Sequence, residues 1–403
     1  MNNNLSALFA VAQKPERHIV GLMSGTSLDG LDIALCAVSG FGTRTAVRLL
    51  KFTTTPYTDD IRAEIRRVFA KAQVDFAHLA MLNEWIGNLH ADMVLQALQD
   101  WGLSTRDVDL IASHGQTVMH APARLHQCAK FPNATLQIGD GDHIAVRTGI
   151  LTLSDFRQKH LAAGGEGAPL AVYGDIFIFG KLGENRIMLN MGGIANFTYL
   201  PADLDPHRVF VTDTGTGNTL LDACTRHFFP SQNYDKDAVL ALQGQRHEGL
   251  LQALMAHPFF GQTFPKTTGP ELFNMDYLRA AQAASSTQAL GANDLLATLV
   301  HFSAETIASA MHFAVLHSGH LTNTDFTVYL SGGGMHNPLL ISCLQKLLCC
   351  RFMTTDDLGI SGDAKEAVLF AVLANECIAG GAADFGLRQG IPSVTLGKLS
   401  FPW

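Results

Sequence analysis

Asp213 follows the apolar run VFVT (209–212) and opens into TGTGN (214–218). A carboxylate between a strand and a glycine turn is rigidly held and faces open space, which suits a general base. An Asx turn or the N-cap of a helix over 216–228 accounts for the same residue equally well. Three glycine turns accompany it. SGTSLDG (24–30) offers Gly25, Thr26, Ser27, Asp29 and Gly30; LNMGGIAN (189–196) offers Gly192 and Gly193; LSGGGMHN (330–337) offers Gly332, Gly333, Gly334 and Asn337. Such turns present backbone N–H groups in concave nests that attract phosphate oxygens. Three adjacent glycines cost chain entropy, which points to a close backbone approach to a ligand. Asp29 is placed to orient a hydrated Mg²⁺ through water, since that ion keeps several waters and takes one or two carboxylates. Each turn alone also reads as an ordinary hairpin turn. Together, in this order, they predict a nucleotide cradle. No G-x-x-x-x-G-K-[ST], no strand–G-x-G-x-x-G–helix and no H-R-D occurs, so ATP on a different fold is the expectation.

Polar side chains gather at other predicted strand ends. SHGQT (113–117) brings His114, Gly115 and Gln116; QIGDGD (137–142) brings Gln137; SDFRQ (154–158) brings Asp155 and Arg157. Side chains of these types recognise sugar hydroxyls and a carboxylate. AAGGEGAPL (162–170), with Gly165 and Glu166, reads as a glycine hinge or a ligand-lining loop, with Glu166 in a pocket or simply exposed. His114 and His120 hint at a metal pair, but no His/Cys/Asp set has structural zinc spacing.

Elements must carry these groups. HIVGLM (18–23) and LDIALCAV (31–38) flank the first turn as a hairpin, and Val47 to Thr55 extends it to a meander. Helical spacing covers 59–72 and 76–101; short strands are expected at 109–113, 134–138 and 149–153, with a helix at 141–147. Ala168 to Phe179 reads as a helix. A second hairpin, RIMLN (186–190) and IANFTYL (194–200), then repeats the opening architecture. Helices are predicted over 216–228, 247–256, 275–284, 293–318 and 364–376, with one strand, FTVYLS (326–331), and an irregular tail after Gly380. The economical fold is α/β: two domains, 1–185 (with a short helical extension, 1–18) and 186–403, and an active cleft between them.

Composition narrows the class. The 403 residues are 47% hydrophobic, ample for large cores without staples. Seven cysteines, an odd number with no C-x-x-C pair, predict a reducing, cytoplasmic setting, with Cys343 and Cys349 read as small buried hydrophobes in an apolar stretch. With 28 Lys and Arg against 36 Asp and Glu and no basic run, nucleic acid is not an expected partner. No apolar stretch of about eighteen residues is free of polar interruption, so no membrane span is expected.

Taken together, GLMSGTSLDG, SHGQT, QIG, DFR, AAGGEGAPL, LNMGGIAN, DTGTGN and SGGGMHN, in this order over about residues 19 to 375, resemble the anhydro-N-acetylmuramic acid kinases. The resemblance implies the two-domain actin-like ATPase (ribonuclease H-like) fold, ATP and Mg²⁺, and a homodimer. It also implies hydrolytic opening of a 1,6-anhydro ring with phosphorylation of O6, giving N-acetylmuramic acid 6-phosphate. The family's base, which activates water at C1, is the Asp of its D-T/C-G-P-G-N motif, here Asp213; the last helix, KEAVLFAVLA (365–374), includes the counterpart of a family Glu at Glu366. This chain departs from the pattern in Glu166 (usually Gln), Thr216 (usually Pro), His160 (usually acidic) and the N-terminal extension. The competing readings are a levoglucosan-type anhydrosugar kinase and a non-catalytic sugar- or nucleotide-binding protein on the same fold.

Overall fold

In chain order the elements begin with α1 (Asn3–Gln13), β1 (Glu16–Ser24), β2 (Gly30–Ser39), β3 (Ala46–Pro56), α2 (Asp59–Arg66), α3 (Phe76–Asp100), β4 (Leu110–Ala121), α4 (Ala123–His126), β5 (Ala134–Ile138) and α5 (Gly141–Thr148). There follow β6 (Thr152–Ser154), α6 (Phe156–Ala162), α7 (Ala171–Phe179), β7 (Asn185–Met191), β8 (Ile194–Leu200), β9 (Phe210–Thr216), α8 (Thr219–Phe228), α9 (Glu248–Met255) and α10 (Met275–Ser285). The last are α11 (Ala292–Met311), β10 (Phe326–Ser331), α12 (Pro338–Leu347), β11 (Arg351–Thr354), α13 (Lys365–Ala379) and β12 (Lys398–Ser400). The structure, a computed structural model, describes residues 2–168, 170–269, 271–313, 325–386 and 392–402. Two compact units result: Met1–Gly180 with Gly359–Trp403, and Lys181–Leu358. The division falls after Gly180 where 185/186 was expected, and the C-terminal segment from Gly359 returns to the first unit.

Packing of β1 explains that return. The strand is buried from Ile19 to Ser24. Val20 and Leu22 join Leu82 and Ile86 of α3 in one cluster. The intervening Gly21 faces α13: a β-carbon there would stand 1.9 Å from the carbonyl oxygen of Ala367. Only glycine permits that approach. Arg17, buried at the start of β1, donates from Nε to Asn375 Oδ1 at 2.6 Å, tying the same helix down. In α13 every residue from Ala367 to Glu376 is buried, an apolar run that needs a sheet to cover it.

The first sheet runs β12-β6-β4-β1-β2-β3, with β5 paired to β4. β1, β2 and β3 form an antiparallel meander, and β4 and β6 add parallel to β1 and β4. The second sheet, β11-β10-β7-β8-β9, repeats the plan: β7, β8 and β9 form the meander, and β10 and β11 add in parallel. Its core joins Ile187, Leu189 and Met191 of β7 to Leu220 of α8 and to Leu296 and Leu299 of α11.

Four strand expectations change. β4 extends through SHGQT, because it passes from parallel pairing with β1 to antiparallel pairing with β5, and Gly115 (φ 76°) lies at the changeover. His114 and Gln116 are therefore inside a strand. β9 likewise continues past Asp213, since β8 keeps pairing with it as far as Ile194 opposite Thr216. The tail contributes β12, antiparallel to β6, and Arg351–Thr354 forms an unexpected strand. The predicted end of the 293–318 helix, 314–318, lies outside the described residues.

Candidate active site

In the first unit, the β1–β2 turn is held from beneath by side chains. Ser24 Oγ lies 2.6 Å from Gln116 Oε1 and 2.8 Å from Tyr57 Oη, which is 2.7 Å from His90 Nε2. Gln116 Nε2 donates to the Gly25 carbonyl at 2.9 Å. Gln116 is fully buried and both ends of its amide serve the turn, whereas the sequence placed it against substrate. Above this base, Thr26, Ser27 and Asp29 are exposed. Asp29 Oδ1 accepts from Ser27 Oγ at 2.7 Å and from the Gly30 N–H at 3.1 Å. No group of three His, Cys, Asp or Glu able to hold a metal exists among the described residues, so Asp29 fits a hydrated ion rather than a protein cage.

His114 is buried, with Nδ1 2.8 Å from the Gly115 carbonyl and Nε2 2.9 Å from Arg157 Nε. Arg157 Nε can only donate, so Nε2 is the acceptor and Nδ1 carries the proton. Burial, assisted by the Arg157 charge, pushes His114 down to about 3, and the ring is neutral at ordinary pH. Arg157 also donates from Nη1 to the Gly167 carbonyl at 2.6 Å, which leaves Nη2 without a partner among the described residues. Burial lowers its pKa to about 10, with Glu366 pulling the other way, so it remains a cation. Glu366, in the first turn of α13, is reached by solvent yet crowded by protein; that desolvation raises its pKa against the attraction of Lys365 and Arg157.

A cavity of about 390 Å³ is lined by His114, Gly115, Gln137 and Asp155, together with Asn83 and Lys398. Gln137 donates from Nε2 to Thr135 Oγ1 at 2.9 Å, while its Oε1 is buried with no partner among the described residues. Asp155 occupies the N-cap position of α6 with φ 54°, and its Oδ2 accepts from Lys398 Nζ. Glu166 lies elsewhere, 3.5 Å from Arg124 Nε and partly exposed. The Gly165 carbonyl accepts from Asn133 Nδ2 at 3.1 Å. His160 is buried; its Nδ1 accepts the Gly167 N–H at 2.9 Å and so shapes the glycine loop.

The second unit builds its turns from backbone. The N–H groups of Gly217, Asn218 and Thr219 donate to the Gly193, Gly192 and Gly193 carbonyls at 2.8, 2.9 and 3.1 Å. Asn218 Nδ2 donates to the Met191 carbonyl at 3.2 Å. Gly332 has φ 79°, and a β-carbon there would meet Asn190 Oδ1 at 2.6 Å; at Gly334 it would meet Met191 Cβ at 2.6 Å. Gly333 lies between them, and Asn337 caps α12 by accepting the Leu340 N–H at 2.9 Å. The turns after β7, β9 and β10 therefore close on one another through backbone bonds and the side chains of Asn190, Met191 and Asn218, with no room for a β-carbon at Gly332 or Gly334.

Asp213 projects from β9 beside this cradle, half-buried. Its N–H donates to the Lys266 carbonyl at 2.9 Å, and its Oδ2 accepts the Thr268 N–H at 2.8 Å. It caps no helix, because α8 begins after Asn218. Sequence reasoning missed Lys266 and Thr268, which lie in FPKTTG (264–269) with only loop-like composition as a signal. It also missed Asp222, one turn into α8, whose carboxyl burial pushes up to about 6.

Two sheets that share a five-strand order, β6-β4-β1-β2-β3 and β11-β10-β7-β8-β9, each with a tight turn after its first strand, define the actin-like ATPase class. The chain belongs to the anhydro-N-acetylmuramic acid kinase family, whose model matches residues 17–397. Proteins named anhydro-N-acetylmuramic acid kinase from Pseudoalteromonas atlantica and Pseudoalteromonas translucida are 54% and 50% identical to it, over the whole of both chains in each case. One from Caldanaerobacter subterraneus is 36% identical and covers 98% of this chain and 100% of its own. The N-terminal extension outside the family model is thus spanned by the alignments to both Pseudoalteromonas proteins.

Proposed function

We propose that the chain hydrolytically opens the anhydro ring of 1,6-anhydro-N-acetylmuramic acid and phosphorylates O6, giving N-acetylmuramic acid 6-phosphate. The observation that carries this reading is Asp213: a carboxylate gripped by a backbone N–H, half-buried, next to the glycine turns after β7, β9 and β10. Asp213 takes a proton from water as the water oxygen bonds to C1. The C1–O6 bond breaks, and O6 accepts the γ-phosphoryl group of ATP. Phosphoryl transfer asks the protein mainly for positioning and charge neutralisation. Gly192, Gly193, Gly332, Gly333 and Gly334 cradle the phosphates; the exposed Gly25–Gly30 turn offers Thr26, Ser27 and Asp29. Asp29 would hold Mg²⁺ through water, and the ion when bound would supply charge neutralisation at the phosphates.

For the sugar, Gln137 Oε1, without a partner among the described residues, accepts a hydrogen bond from a hydroxyl, as does the carboxylate of Asp155 beside Lys398. Arg157 Nη2, a donor on a cation and without a partner among the described residues, suits the lactyl carboxylate. His114 keeps the guanidinium oriented, and Glu366 balances its charge. Gln116 and Asn337 act by shaping the turns they hold, and Glu166 and Gly165, paired with Arg124 and Asn133, are given no part in binding the sugar. No helix among the described residues is long and apolar enough to cross a membrane, and all seven cysteines are free, which supports a reducing cytoplasmic setting.

The test is ADP release with Mg·ATP and 1,6-anhydro-N-acetylmuramic acid, levoglucosan alongside, and product mass. Turnover with gain of both phosphate and water is expected. Activity on levoglucosan alone would move the substrate, and silence on both would defeat the kinase reading.

A further inference from the structure

Lys266 carries its ammonium into the interior of the second unit, where it is 7% exposed. Nζ donates to the Phe259 carbonyl at 2.9 Å and reaches the Phe260 carbonyl at 3.4 Å. It stands 4.4 Å from the ring centroids of both Phe259 and Phe264. Among the described residues no carboxylate pairs with it. A buried cation without a counter-ion is costly and calls for a reason. Carbonyl oxygens and ring faces compensate part of that cost. A Met of similar length would fill the space without leaving a charge behind, so packing alone does not account for a lysine.

The backbone of the same segment reveals what the ammonium secures. The Lys266 carbonyl accepts the Asp213 N–H at 2.9 Å, and the Lys266 N–H donates to Thr212 Oγ1 at 3.0 Å. Two residues on, the Thr268 N–H donates to Asp213 Oδ2 at 2.8 Å. Residues 264–268 therefore form a strap along β9 that holds both the backbone and the carboxylate of Asp213. Its own side-chain anchorage runs through Lys266 into the Phe259–Phe260 backbone. The ammonium itself is too deep to touch a substrate, and both of its strong contacts are internal.

We propose that Lys266 is a positioning residue for Asp213: seated among the Phe259 and Phe260 carbonyls and the Phe259 and Phe264 rings, it clamps the strap whose Thr268 N–H holds the carboxylate in line. This rests on Asp213 being the base. An N–H directed at a carboxylate favours its ionised form, so slackening the strap raises the pKa of Asp213. Misplacement of a catalytic group by about 1 Å costs on the order of 10²-fold.

The experiment compares Lys266→Met, Lys266→Arg and Asp213→Asn in full-length protein. It reads kcat, both KM values and the pH profile of kcat/KM on the anhydrosugar. Lys266→Met should lower kcat by about tenfold or more, leave the KM for ATP unchanged and move the acid limb to higher pH. Lys266→Arg, which keeps a cation able to bond the carbonyls, should bring the acid limb back toward wild type. A merely structural lysine would lower the folded fraction without moving that limb. Lys266→Met with wild-type kcat and an unmoved acid limb overturns the inference while an inactive Asp213→Asn upholds the base. An active Asp213→Asn removes the base reading and this inference with it. If Lys266→Met does not fold, Phe264→Leu, which strips one ring from the ammonium, should shift the limb in the same direction; no shift there is equally fatal.

Discussion

The turns after β1 and after β7 occupy equivalent places in two sheets that share a five-strand order, yet they are built from different materials. After β1, Ser24, Tyr57, His90 and Gln116 form a buried side-chain chain beneath the turn, and exposed Ser27 and Asp29 crown it. After β7, Gly192 and Gly193 bond directly to the backbone of 217–219, with Gly332 and Gly334 closing against Met191. A side-chain scaffold presents hydroxyls and a carboxylate, which suits a hydrated cation. A glycine scaffold presents peptide dipoles at short range, which suits phosphate oxygens. One topology thus carries two kinds of turn, because the strand order sets where a turn lies and the residues in it set what it offers.

The largest effect that would sharpen this contrast comes from Asp213→Asn, in the glycine-built unit. Removing a general base should lower kcat by about 10²–10⁴-fold, while ATP binding, followed by calorimetry, stays as in wild type. Near-normal turnover would take the base role away from Asp213. Next comes Gly332→Ala. A non-glycine residue at φ 79°, with its β-carbon 2.6 Å from Asn190 Oδ1, strains the turn; the left-handed conformation alone costs about 1–2 kcal/mol. The KM for ATP should rise about tenfold, the factor that about 1.4 kcal/mol corresponds to, with the KM for the sugar little changed. An unaltered KM for ATP would break the comparison, since it would mean that phosphates do not use this cradle.

The smallest effect concerns the side-chain-built unit and appears only on acidification. His90, His114 and His160 are buried, and burial pushes them down to about 4, 3 and 4. An unfolded histidine protonates near 6.5, so the unfolded chain binds these protons first. Stability is therefore fully present above about pH 6.5 and declines as pH falls toward about 4, by at most about 1.4 kcal/mol per pH unit for each histidine. Hydrogen exchange from pH 7 to pH 4.5 should show the first unit losing protection earlier than the second. Equal loss in both would remove these histidines as the cause.

Much of the site was legible because glycine turns and strand-end carboxylates are local signals. The three turns, Asp213, His114, Gln137, Asp155 and Arg157 could all be chosen from neighbours within a few positions. Their partners could not. Gln116 reads as a pocket residue until Ser24 and Gly25, about ninety positions away, turn out to occupy its amide. Glu166 sits in a pocket-like loop, yet its nearest charge is Arg124 at the surface. The FPKTTG segment has no periodicity and no motif, so nothing local showed that its backbone would run beside β9.

By itself the sequence determined the class of fold, the family and the residue types offered to phosphate and sugar, because hydrophobic period and turn chemistry act over a few residues. Only the tertiary structure decided that α13 and β12 complete the first unit, that SHGQT and Asp213 lie within strands, and that a buried ammonium anchors the strap holding Asp213. Those outcomes depend on which distant segment covers an apolar face or satisfies a buried polar atom. Such a choice is made by close packing and hydrogen-bond satisfaction across the folded chain.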